Sequence, residues 1–490
     1  MKKTAAILLI FSLLPNCAAC QGADDASASG AATTDAALTT GPVETDYNPN
    51  LEPIDCGGDS FTIISRKPDG YVRQLDDISA DEQNGDYLND AIYKRNSFIM
   101  DKYNLSFEII ADSGDITGKV RTAVSSGDDA YDLVINGVNS NVAQSAEGLF
   151  HDLGALPNVD ITKPYWSRSI MEDMSIFGKH YVGISDLTIQ AYYASGIIYF
   201  NKQLAEDFGL EDPYKLVREG SWTFDRMIGL CRDVSRDLNG NQEFDEQDQY
   251  GITFNNFAWQ ILFYGGGETF IRKNDDGSLY FDSGNERILN FLQKLMPVSQ
   301  DSEVVLYSEN YARLGGNYRI DVCQNAFNEG RSLFWLEAMY GVPTLRDMER
   351  DFGILPVPKF DAAQEEYSSF IHTTHGSSVA VPVTVADADR VGRVLEDLTY
   401  YSSGVRDAFI ETTLKGKYAR DNESADMIDI IIDNIRTDYA LLLNNAGLSI
   451  DTDMRKAMDK GSTDIGSLFA SKLDAYNSAL EKYSAAMEEK

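Results

Sequence analysis

Three short runs decide the fold: FTIISR at residues 61–66, LSFEII at 105–110 and YDLVING at 131–137. Each is rich in β-branched and aromatic residues and has the length of a strand. Between the first two, Leu88, Ile92, Phe98 and Ile99 recur at helical spacing over residues 87–103, and residues 116–124 predict a short helix before the third. The order β-α-β-α-β predicts an α/β fold with a largely parallel sheet and helices on its faces. Such sheets bind ligands beyond the C-terminal ends of their strands, which makes Asn136 and Asn139 candidate contacts.

Toward the N-terminus the pattern stops. Residues 20–57 are mostly Ala, Ser, Thr, Gly, Asp and Pro, a composition with too little apolar surface to fold, and they predict a flexible linker. Before them, Lys2 and Lys3 precede an apolar run from Ala5 to Leu14, too short to span a bilayer but right for a secretion signal over residues 1–19. Cys17-Ala18-Ala19-Cys20 resembles a bacterial lipobox, with Cys17 where Leu is usual. That makes Cys20 the expected acylated (palmitate-bearing) first residue of a lipoprotein on the outer face of the cell membrane. Cys56, Cys231 and Cys323 remain, enough for one disulfide at most.

Toward the C-terminus a second α/β unit is expected. GIIYFNKQLAEDFGL reads as strand then helix, and Thr223 is a candidate N-cap for a helix with Phe224, Met227, Ile228, Cys231 and Val234 on its apolar face. RSLFWL, DFGILPVP and SSVAVP read as strands, and an amphipathic helix covers residues 465–487. More than one core is expected over this length. The net charge of −35 excludes nucleic acid and anionic membrane surfaces as partners, and loss of Lys2 and Lys3 lowers it by 2, to −37.

Taken in order, these segments resemble the family 1 extracellular solute-binding proteins, which include the maltodextrin-binding proteins. YDLVINGVNSNVAQSAEGLFHDL resembles the loop that the first lobe offers to ligand. IIYFNKQLAEDFGLEDP with GSWTFDRMIGLCRDV resembles the entry into the second lobe. NAFNEGRSLFWLEAMYGV resembles the strand that crosses back, and DFGILPVPKFD with SSVAVP its continuation in the first lobe. The resemblance implies a two-lobe periplasmic-binding-protein-like fold (type II), with discontinuous lobes, hinge strands and an interlobe cleft. It assigns residues 58–190 and 336–400 to lobe 1, 191–335 to lobe 2, and 401–490 to C-terminal helices mainly on lobe 2, with crossings near residues 189–191, Leu336 and Tyr401. It also implies a monomer without catalysis that passes a small polar solute, a sugar above all, to the permease subunits of an ABC transporter.

Sugars are held by aromatic faces and by polar groups that bond hydroxyls. Tyr192, Phe257, Trp259, Trp335, Glu337 and Tyr340 fall where the resemblance places such contacts. DLNGNQEFDEQD at residues 237–248 has the spacing of a calcium loop: Asp237, Asn239 and Asn241 at positions 1, 3 and 5, the Glu243 carbonyl at 7, Phe244 at 8, Asp245 at 9 and Asp248 at 12. Gln242 replaces the usual Gly at 6 and Asp248 the usual Glu. A structural Ca2+ is expected there. Two other classes fit the residues: an extracellular glycoside hydrolase, which needs two convergent carboxylates, and a calcium-dependent surface adhesin. His372 and His375, three apart, read as a loop pair.

Overall fold

The structure is a computed structural model that describes residues 47–67 and 75–488. The signal, Cys20 and most of the linker lie outside the described residues. The chain begins with β1 (Ser60–Arg66), α1 (Tyr87–Tyr103), β2 (Ser106–Asp112), α2 (Ile116–Ser126), β3 (Leu133–Gly137) and α3 (Val138–Ser145). Asp86 caps α1 by accepting from the Leu88 and Asn89 N–H groups, and Asn104 ends it in the left-handed region. Asp115 and Gly127 do the same for α2.

Further strands are β4 (Gly196–Asn201), β5 (Tyr250–Phe254), β6 (Ile271–Lys273), β7 (Leu279–Phe281), β8 (Val305–Tyr307), β9 (Ser332–Ala338), β10 (Phe352–Leu355), β11 (Ser369–Phe370), β12 (Ser377–Ala380) and β13 (Ile435–Arg436). The first sheet has the order β12-β3-β1-β2, and the second β10-β4-β9-β5-β8. In the first, β1, β2 and β3 are parallel, as expected, and β12 runs against β3. In the second, β4 runs against both β9 and β10, while β5 is parallel to β8 and β9. The central strands β3, β4, β5 and β9 are buried along their whole length, which explains their unbroken apolar runs. Thr223 caps the helix Phe224–Val234, and Cys231 is core, as expected. A Cβ on Gly251 would come within 2.3 Å of the Cys231 Cβ, so glycine lets this helix lie directly on β5. Cys56, Cys231 and Cys323 are free thiols.

Two expectations need correction. Residues 352–355 do not continue the first lobe; they pair with β4 in the second sheet. Leu336 accordingly lies inside β9, and the chain returns to the first sheet only between β10 and β12. Apolar runs of four residues carry no mark of which sheet edge they will cover, and β4 offered one. Past Tyr401 the chain still packs on α1, through residues 403–418, before Asn422–Asp433 reaches β10. No helix among the described residues is long and apolar enough to cross a membrane.

Candidate functional site

The C-terminal ends of β5 and β9 in the second sheet meet the loop that leads into β12 of the first at one cavity of about 370 Å³, within the range of small-molecule sites. Asn255 and Phe257 follow β5, while Glu337 and Ala338 end β9, with Tyr340 just beyond. Gly196, the first residue of the antiparallel β4, pairs with Ala338 and so reaches the same end. From the first sheet come His372, Thr374 and His375, in the loop leading into β12, whose first residue Ser377 pairs with Gly137 at the end of β3.

That loop is pinned from several sides. The Arg66 guanidinium donates to the Thr374 carbonyl at 2.9 Å, Gln190 Nε2 to the His375 carbonyl at 3.0 Å, and the His372 N–H to the Ala194 carbonyl at 2.9 Å. A Cβ on Gly137 would come within 2.3 Å of the Arg66 guanidinium, so a larger residue would push that side chain aside. Asp77 stands behind the loop, accepting from the Ser377 hydroxyl and the Gln190 N–H. Burial pushes its carboxyl up to about 7.

A ladder of flat groups runs along the wall. Tyr340 lies 5.5 Å from His375, His375 4.4 Å from His372, and His372 5.8 Å from Phe257, between ring centroids. The Arg455 guanidinium lies 4.6 Å over the Phe257 ring. Arg455 pairs with the buried Asp451, which also accepts from Trp259 Nε1 at 3.2 Å and Gln260 Nε2 at 2.6 Å. Glu337 turns one carboxylate oxygen back onto the Ala338 N–H.

The sequence-predicted residues therefore divide. Phe257, Glu337 and Tyr340 come together in the cavity. Trp335 does not: its ring packs inside the second lobe, 1% exposed, between Tyr199 and Phe327. Trp259 is equally enclosed and acts one step back, through Asp451. Asn139 supports the wall, donating to the Thr374 hydroxyl at 3.2 Å, whereas Asn136 is folded back onto the Gly137 N–H. Tyr192 points into a different, larger groove of about 870 Å³, beside Asp186 and Arg406. Its neighbour Tyr193 meets Tyr340 instead. Among the described residues the larger groove takes only β13 and no strand of the two main sheets, and the smaller cavity has the stronger claim. Sequence reasoning missed His372, His375, Arg319 and Arg455; the first two were visible as a pair, the others carried no signal.

The acidic loop is wound as a series of side-chain-capped turns. Asp237 accepts from the Gly240 and Gln242 N–H groups, Asn239 from Asn241, and Asn241 from Glu243. Asp248 is buried and clasps the Leu238 and Asp245 N–H groups, so its oxygens close the loop rather than line it. Among the described residues no group of three or more His, Cys, Asp or Glu is placed to hold a metal ion. Any cation here would depend on Asp237, the asparagines and a carbonyl.

No family model matches the chain, and no curated protein does. Solved structures do. The cyclic α-maltosyl-1,6-maltose-binding protein of Arthrobacter globiformis is 16% identical with a TM-score of 0.54, over 89% of this chain and 100% of that one. A sugar transporter of Rhizobium etli, in an open conformation, is 13% identical with a TM-score of 0.55, over 88% and 99%. An ABC substrate-binding protein of Listeria monocytogenes, in complex with cycloalternan, is 12% identical with a TM-score of 0.51, over 88% and 98%. At such identities the likeness is one of fold, and this chain has the two-lobe α/β fold of the ABC substrate-binding proteins.

Proposed function

We propose that the chain is the substrate-binding component of an ABC importer, which captures a saccharide in this cavity by lobe closure and releases it to permease subunits. The observation that carries the reading is the row Tyr340–His375–His372–Phe257 along a cavity between the strand ends of the second sheet and the loop into β12 of the first. Flat faces suit the C–H surfaces of sugar rings, and Asn255, Asn317 and Glu337 supply hydroxyl partners. The neighbours named for cyclic maltosyl-maltose and cycloalternan support the same class of ligand. Glu337 is the single carboxylate among the described residues lining the cavity. A glycoside hydrolase needs two, so binding without turnover is the better account.

The test is a thermal-shift screen of sugars, polyols, amino acids and peptides, because ligand bound only by the folded state raises its melting temperature. A saccharide is expected to give the largest shift. Stabilisation by an amino acid or peptide, with no response to any sugar, would overturn the reading.

Two further readings belong with this proposal. Anchoring through an acylated Cys20 would hold the protein at the outer membrane face; Cys20→Ser is expected to release it into the medium, and Cys17→Ser to leave it bound. A structural Ca2+ on Asp237, Asn239, Asn241 and the Glu243 carbonyl is supported by Gln242, which takes φ +66° at the place where such loops carry glycine.

A further inference from the structure

The residues lining the cavity are basic where the chain is acidic, although each lining arginine has a carboxylate partner behind the wall. Over the whole sequence 77 acidic residues face 42 basic ones. Among the described residues lining the cavity, Arg319 and Arg455 face Glu337 alone, and His372 and His375 are two of only four histidines in the chain. Arg66 adds a third guanidinium at the edge, bonded to the lining residue Thr374.

Arg455 is the most telling of these. Among the described residues its one ion pair is with Asp451, and that carboxylate is shared with Trp259 and Gln260. Its Nε is buried with no hydrogen-bond partner among the described residues. The side chain as a whole is 27% exposed and lines the cavity, where its terminal N–H groups can receive an anionic oxygen. Arg319, on the helix Tyr318–Asn328, gives its Nε to Glu309. A guanidinium held over the Phe257 ring also stands where it can receive a carboxylate beside a stacked sugar.

Resting on the saccharide reading above, we propose that the ligand is an acidic sugar, a hexuronate or a short chain containing one. Its carboxylate is received by Arg455 with Arg319, while its ring lies along the Phe257–His372–His375–Tyr340 row and its hydroxyls reach Glu337. The carboxylate of Glu337 in the same cavity disfavours a denser anion, such as a phosphorylated sugar, which would crowd a second charge against it.

Galacturonate and glucuronate, free and as short oligomers, are titrated into the full mature chain beside galactose, glucose and their phosphate esters. The uronates are expected to bind about tenfold or more tightly than the neutral sugars, with the advantage shrinking as salt is added. Arg455→Gln should lower uronate affinity by about tenfold or more. Because that change strips Asp451 of its ion pair, Arg319→Gln at the more exposed edge is the second variant, with the same direction expected and a melting curve to verify folding. Neutral sugars binding as tightly as uronates would overturn the charge assignment and leave saccharide capture standing. A phosphate ester binding best would overturn the carboxylate assignment. No binding by any of these probes would overturn the uronate assignment, while saccharide capture stands or falls on the wider screen.

Discussion

The indole of Trp335 stacks on the Tyr199 ring, with centroids 5.1 Å apart and planes 28° from parallel. Tyr199 in turn donates to the Ala338 carbonyl at 3.0 Å, so the pair ties neighbouring strands β4 and β9 together just behind the cavity. Both rings are fully enclosed. Trp335→Ala is therefore expected to cost about 3–5 kcal/mol of stability by opening a cavity in the core. A urea melt checks this. A variant of native stability that has lost only ligand affinity would show the ring to face ligand instead.

Tyr340 presents the other case. It follows β9 at the cavity, edge-on to His375 and Tyr193. Tyr340→Ala removes one end of the stacking row while β9 keeps its pairing, and the expected loss is about 1–3 kcal/mol of binding free energy. Calorimetry with whichever saccharide gives the largest thermal shift measures it. Unchanged affinity would move the ligand toward Phe257.

The contrast between these two residues shows what the sequence could convey. Strand runs, helix caps and their order are local, so β1 to β3 and the Thr223 cap were legible. Placement of Trp335 was not, because alternation along a strand buried on both faces does not distinguish a wall that meets ligand from one that meets another helix. The membership of β10 was illegible for a related reason: its partner β4 lies about 150 residues away, and only the finished sheet shows the free edge. His372, His375 and Arg455 come from a loop and a late helix that meet Phe257 only in the folded chain. Their convergence leaves no spacing to read.

Stability should fall as pH rises toward the alkaline side. Burial holds the carboxyls of Asp77 and Glu396 up at about 7 each, against about 4 in an unfolded chain. Between those limits the folded state keeps protons that the unfolded state has lost. The contribution is complete below the unfolded value and disappears as pH passes through the folded one, by up to ~1.4 kcal/mol per pH unit for each group. Melting temperatures from about pH 5 to pH 8 should therefore decline. Asp77→Asn keeps an acceptor for the Gln190 N–H and a donor toward the Ser377 hydroxyl, and should flatten the slope by about one proton. An unaltered slope would mean that Asp77 is already ionised across this range.

The loop at residues 237–248 supplies the last test. The Asn239 and Asn241 amides both donate to the same Asp245 oxygen, at 3.2 and 3.1 Å, so three side chains already converge on one point. Phe244 anchors the loop against Tyr250, 5.7 Å between centroids. A calcium ion at that point would turn the two amides so that their oxygens face it, replacing N–H donation to Asp245 with shared coordination. Calcium added to metal-free protein is then expected to raise the melting temperature, and a chelator to reverse the gain. Asp237→Ala should abolish the response; it should also lower the baseline by about 1 kcal/mol, because the Gly240 and Gln242 N–H groups lose their acceptor. The two effects separate the readings. A lowered baseline with no calcium response in the unaltered protein would leave Asp237 as a turn former and nothing more.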